Sequence, residues 1–97
     1  MLSVPFGGKA RADDIADGRR HAQRASHLSA SGKCRQAIGE YDKAIAVLHD
    51  PTLLFNRGEC HRKLGSVDAA LEDYKQFLTD LPSAPNRVEV RARIAEL

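Results

Sequence analysis

The chain repeats itself at a spacing of 33 residues, and this repeat constrains the fold more than any other feature of its 97 residues. Identical residues return at glycine, small-residue and aromatic positions alike. The identical pairs are Asp17 with Asp50, Arg24 with Arg57, Gly32 with Gly65, Ala37 with Ala70, Tyr41 with Tyr74, and Leu48 with Leu81. A period of about 20 to 50 residues is typical of proteins that stack copies of one small unit. We therefore expect a repeat architecture.

The repeating unit is predicted to be a pair of helices. Apolar residues recur at steps of three and four, which places them on one face of a helix. The clearest such stripe is Cys34, Ala37, Ile38, Tyr41, Ala44, Ile45 and Leu48. Turn-forming residues at Ser31-Gly32, Asp50-Pro51, Gly65-Ser66 and Pro82 to Pro85 divide the chain into five helices. No alternating strand pattern competes, so the fold class is all-α, an α-α superhelix.

The helix ends carry recognisable signals. Asp50 is a predicted N-cap with Pro51 at the first helical position, and Gly65 can adopt the left-handed conformation that ends a helix. We also expect Ser66 to cap the fourth helix, and Asn86 with Glu89 to form a capping box on the fifth.

The fifth helix is predicted to be the first half of a third unit. At an offset of 34, Pro51, Leu54, Arg57 and Gly58 return as Pro85, Val88, Arg91 and Ala92. The expected organisation is a flexible leader at 1–12 and one domain at 13–97. Within it, repeat one covers about 17–49, repeat two about 50–83, and a capping helix about 86–97.

Composition excludes several classes of protein. The longest unbroken apolar run, Ala44 to Leu48, is far shorter than the roughly 18 residues of a membrane span. The net charge of +2 lacks the dense basic stripe of a nucleic-acid binder. Cys34 and Cys60 lie 26 positions apart without a C-x-x-C pairing, so we expect free buried thiols. The predictions are thus no nucleic acid, no membrane and a cytoplasmic location.

These features together resemble the tetratricopeptide repeat family. In the second unit the pattern of the family falls on Leu54, Arg57, Gly58, His61, Ala70, Tyr74 and Pro82. Arg24, Arg57 and Arg91 stand where the family usually has Leu, and an Arg stem can still cover apolar surface. The resemblance implies a right-handed superhelix whose first helices line a concave groove for an extended peptide. A short chain of this kind folds because stacked hairpins bury each other's apolar faces.

Catalysis and metal binding find little support. His21, His27, His49, His61, Cys34 and Cys60 show no recognised ligand spacing, and nothing resembles a nucleophile elbow. We therefore predict no enzyme, no metal and no cofactor.

The resemblance assigns the groove instead, and implies a non-enzymatic scaffold that binds an extended or helical segment of another protein. Its cations Arg19, Arg62 and Lys63 either pair with carboxylates of an acidic segment or are only solvated. The groove residues in the predicted site are Arg19, Gln23, Thr52, Phe55, Asn56, Glu59, Arg62, Lys63 and Arg93. Ser26, Asn86 and Glu89 border them, so cations outnumber anions. Phe55 is either a ligand anchor or a contact with the preceding helix. Ala22 and Ser26 replace the Lys and Asn of the family's clamp for chaperone tails, so that ligand is not predicted. We expect a monomer; the alternative is a structural repeat protein that self-associates into a homodimer.

Overall fold

The computed structural model describes residues 11–97, which form five helices and no strand. The helices are α1 (Arg11–Ala30), α2 (Cys34–Leu48), α3 (Pro51–Lys63), α4 (Val67–Asp80) and α5 (Arg87–Glu96). The all-α class and the number of helices are confirmed. Most of the predicted leader lies outside the described residues, and α1 already includes residues 11 and 12.

The helices pair as two hairpins, α1 with α2 and α3 with α4, and α5 packs on α4. Small residues permit the close crossings. Ala25 is completely buried between α1 and α2, and a Cβ on Gly58 would lie only 3.0 Å from Cε1 of Tyr74. A larger side chain at either position would push the two helices of a hairpin apart.

The turns inside both hairpins follow the sequence prediction. Gly32 and Gly65 have φ angles of +77° and +80°, the left-handed region that suits glycine. After Gly65 the chain closes the turn through a bond of 2.9 Å from the Ser66 amide to the His61 carbonyl. This six-to-one bond is characteristic of a Schellman motif.

The predicted N-caps have different outcomes. Asp50 is confirmed, since its Oδ1 accepts a hydrogen bond from the Thr52 amide at 3.0 Å. The cap at Ser66 and the capping box at Asn86 are wrong, because neither side chain bonds to its helix. The backbone of both residues departs from the extended conformation in which a cap oxygen reaches the first turn.

Each hairpin has its own apolar core, which the next element closes. Tyr41 lies in the first core together with Leu53, which belongs to α3. Tyr74 and Phe77 lie in the second core together with Val90 of α5. Both tyrosines are at most 2% exposed. Stability therefore depends on contacts between neighbouring units, as expected of a stacked repeat.

The prediction of free thiols is wrong, because Cys34 and Cys60 form a disulfide with 5.0 Å between their Cα atoms. Cys34 is the first residue of α2, and Cys60 lies in the last turn of α3. Antiparallel packing of these neighbouring helices brings the start of one beside the end of the other. Sequence spacing alone could not reveal this proximity. The bond links the two hairpins covalently.

Candidate functional site

The exposed face of α1 borders two shallow depressions. One, of about 440 Å³, is lined by Arg19, Ala22 and Gln23 of α1 and by Leu48, Asp50 and Leu53. The other, of about 590 Å³, is lined by Gln23, Ser26, His27 and Ala30. Arg19 and Gln23 are both exposed, and Gln23 borders both depressions. This surface combines an apolar floor with polar side chains at its edge.

The predicted site residues Thr52, Asn56 and Lys63 of α3 differ in whether their side chains are already hydrogen-bonded within the protein. The Thr52 hydroxyl donates to Asp50 Oδ1 at 2.8 Å, so it is engaged in the helix cap. Asn56, in the middle of the helix, is exposed. Lys63, the last residue of α3, is also exposed. Asn56 and Lys63 are therefore accessible to a ligand.

Phe55 packs against the helix that follows it. Its ring centroid lies 6.0 Å from that of Tyr74 and 5.6 Å from that of Phe77, both on α4. The ring is partly buried in the second core. The sequence left open a ligand anchor or a contact with the preceding helix, and the contacts that the structure shows are with the following helix.

Glu59 is the centre of a polar cluster that joins three helices. Its Oε2 accepts a hydrogen bond from the Tyr74 hydroxyl at 2.5 Å and one from Arg93 Nε at 3.1 Å. Its Oε1 accepts from Arg62 Nη2 at 3.1 Å. Arg93 also reaches Glu89 at 3.4 Å. The structure thus brings together three predicted site residues, Glu59, Arg62 and Arg93.

The cluster holds its groups in fixed protonation states. Burial raises the pKa of Glu59, but hydrogen bonds from Tyr74, Arg62 and Arg93 outweigh it, and the net shift is downward. Burial, together with the bond to Glu59, raises the pKa of Tyr74 to about 12. At neutral pH the carboxylate is ionised and the phenol is protonated. Arg62 and Arg93 are therefore both paired with the Glu59 carboxylate.

Sequence reasoning missed an ion pair inside the second hairpin. Arg57 donates from Nε and Nη2 to both oxygens of Asp73, at 2.9 and 2.8 Å, and from Nη1 to Asp42 at 2.9 Å. Asp73 is only 4% exposed. The bond to Asp73 raises the pKa of Arg57 further above its usual range. Arg57, which stands where the family usually has Leu, therefore has a buried acidic partner in Asp73.

The first hairpin contains a looser version of the same pair. Arg24 Nη1 lies 3.6 Å from Glu40 Oε1, and His21 Nδ1 donates to that oxygen at 2.6 Å. The hydrogen bond from His21, followed by the charge of Arg24, lowers the pKa of Glu40. Glu40 and Asp73 are separated by the repeat length of 33, and each directly precedes a repeated tyrosine. That recurrence was the signal from which both pairs could have been predicted.

Every helix within residues 11–97 falls short of the length and hydrophobicity that a membrane crossing requires. Residues 11–97 also contain no group of three or more His, Cys, Asp or Glu side chains arranged to hold a metal ion.

Two stacked helical hairpins with a fifth helix on the last one define a helical repeat protein. The family model described as tetratricopeptide repeat matches residues 52–84, which contain α4 and all of α3 except its first residue, so the second hairpin is similar to one unit of this repeat. The chain is 37% identical over 71 residues to ETO1-like protein 1 of Arabidopsis thaliana; the match covers 73% of this chain and 8% of that protein. No solved structure matched significantly. Members of the family generally mediate protein–protein interactions and are typically not catalytic.

Proposed function

We propose that the chain is a non-enzymatic scaffold that binds a peptide segment of a partner protein along α1 and the adjoining part of α3. The observation that carries this proposal is the depression between the two helices, with Leu53 on its floor and Arg19 and Gln23 exposed at its edge. Apolar depressions with a few polar groups at the edge are typical of ligand-binding surfaces. The exposed Asn56 amide can both donate to and accept from an extended backbone.

The charge distribution favours an acidic segment. Arg62 and Arg93 are paired with Glu59, whereas no ion pair within residues 12–97 involves Arg19 or Lys63. Arg19 lies on α1, and Lys63 lies at the far end of α3. A carboxylate on the ligand can pair with either cation without breaking an existing pair. With so small a surface, affinity in the micromolar range is expected.

A cytoplasmic location is part of the proposal and calls for its own test. Disulfides persist mainly in oxidising compartments and are rare in the cytosol of most organisms. In the cytoplasm Cys34 and Cys60 would therefore be present as thiols or as a redox-regulated bond, and their state tests the location. Trapping the thiols of the native protein with an alkylating reagent, followed by mass spectrometry, would show the state of the bond in cells.

The binding proposal is tested by photo-crosslinking. A photoreactive residue at Gln23 should capture a partner protein that a probe at the exposed Arg35 of α2 does not capture. Arg19→Glu and Asn56→Ala should each reduce the yield at Gln23, since they remove a cation and an amide from the proposed surface. Equal yields from wild type and both variants would show that this face is not the binding site.

A further inference from the structure

An arginine followed by a small residue occurs at the same place in all three first helices. The pairs are Arg24-Ala25 on α1, Arg57-Gly58 on α3 and Arg91-Ala92 on α5. The first two are spaced by 33 residues and the third follows at 34. In the first two units the second helix of the hairpin covers the small residue, so Ala25 and Gly58 are buried.

The covering helices α2 and α4 share one feature. Each carries an acidic residue directly followed by tyrosine, with a buried alanine three positions before the acid: Ala37, Glu40 and Tyr41 on α2, and Ala70, Asp73 and Tyr74 on α4. The acid pairs with the arginine, and in the second hairpin Tyr74 lies against Gly58. In each hairpin, the two helices therefore contact each other through an ion pair. In the second hairpin, the tyrosine ring next to that pair also packs on the small residue of the first helix.

On α5, no helix among the described residues covers the corresponding face. Val88, which occupies the place of Leu54, is 69% exposed, and Arg91, Ala92 and Ala95 are exposed as well. No ion pair within the described side chains involves Arg91. The opposite face of α5 is occupied, since Val90 is fully buried against the second core. The fifth helix thus presents the half of the hairpin interface that α1 and α3 bury.

We propose that this face of α5, formed by Val88, Arg91, Ala92 and Ala95, docks an amphipathic helix of another protein. The incoming helix runs antiparallel to α5 and carries an acidic residue followed directly by an aromatic one, with a small residue three positions before the acid. Its carboxylate pairs with Arg91, and its ring covers Ala92. This surface is separate from the proposed peptide-binding face on α1 and α3.

A second copy of the chain is a poor occupant because it buries its own matching motifs. Tyr41 and Tyr74 are 2% and 0% exposed, and Asp73 is 4% exposed and paired with Arg57. A folded copy would have to open one of its hairpins to present either motif. A helix from a different protein has no such cost. Charge complementarity at Arg91 and the repeated internal interface therefore both favour a partner helix.

The probe for this test is a fluorescently labelled synthetic peptide with the sequence of residues 66–81, which carries the motif of α4. Titration with the whole protein should raise its anisotropy in a saturable way. Arg91→Glu in the protein should weaken binding by about fivefold or more, since it opposes like charges. A peptide with Asp73→Arg should recover binding to that variant. Arg35→Glu, the same charge change on exposed α2, should bind as wild type does.

Three results would overturn the proposal. The first is the absence of saturable binding, or equal binding to wild type and Arg91→Glu. The second is a set of peptide-induced amide shifts in NMR spectra confined to α3, because the peptide would then be replacing the protein's own α4. The third is a concentration-dependent dimer in light scattering that Arg91→Glu dissociates, which would identify a second copy as the occupant.

Discussion

Breaking the Cys34–Cys60 disulfide should destabilise the fold strongly, because this bond links the two hairpins. A cross-link reduces the entropy of the unfolded chain in proportion to the logarithm of the loop it closes. For a sequence separation of 26, that relation gives about 3.5 kcal/mol at 25 °C. In a domain of this size, a loss of 1 kcal/mol lowers Tm by about 4 to 8 °C, so reduction should lower Tm by roughly 14 to 28 °C.

The measurement is thermal and guanidinium unfolding followed by circular dichroism, with and without a reductant. Comparing the oxidised and reduced wild-type protein leaves every side chain in place, so only the bond differs. A Cys34→Ala/Cys60→Ala variant is the control, and its unfolding should not respond to the reductant. The reasoning would be refuted if a thiol assay showed full reduction while both unfolding midpoints stayed unchanged.

Three further predictions concern side chains in the second hairpin. Gly58→Leu should destabilise the protein by about 1 to 3 kcal/mol in denaturant unfolding, because its side chain would collide with Tyr74; an unchanged midpoint would contradict the close crossing. Asp73→Asn should lower the free energy of unfolding by about 2 to 4 kcal/mol, because it leaves Arg57 poorly paired. The double variant Arg57→Leu/Asp73→Ala should lose less stability than Asp73→Asn alone. The reverse order would refute the view that the penalty comes from the unpaired charge. Because the pKa of Glu59 is lowered in the folded state, its carboxylate stabilises the protein above its unfolded pKa of about 4.3, and this stability is lost as the pH falls through the native pKa. Glu59→Gln should therefore flatten the acid limb of stability against pH, and an identical limb would show that other groups control it.

Much of the fold could be predicted because a repeat protein is built from local contacts. Gly32 and Gly65 mark turns between helices adjacent in the chain, and the repeated Tyr41 and Tyr74 mark the buried faces. Such contacts depend on helical periodicity, which the sequence displays directly. The caps at Ser66 and Asn86 failed because a side chain that can cap does so only with a suitable backbone conformation.

Other features depend on geometry between helices, which spacing does not encode. The disulfide required the start of α2 to meet the end of α3. The pairing of Glu59 with Arg93 required α3 and α5 to approach each other. The groove assignment itself stays a prediction.

The carboxylate of Glu59 also acts as a resident competitor for any acidic ligand. An incoming carboxylate can take Arg62 or Arg93 only by displacing an anion that the fold holds permanently at contact distance. Tethering of this kind corresponds to an effective concentration on the order of millimolar or more, so an isolated acid in dilute solution should rarely exchange with it. A partner that engaged these arginines would therefore have to bring several contacts at once, and a simple anion could not.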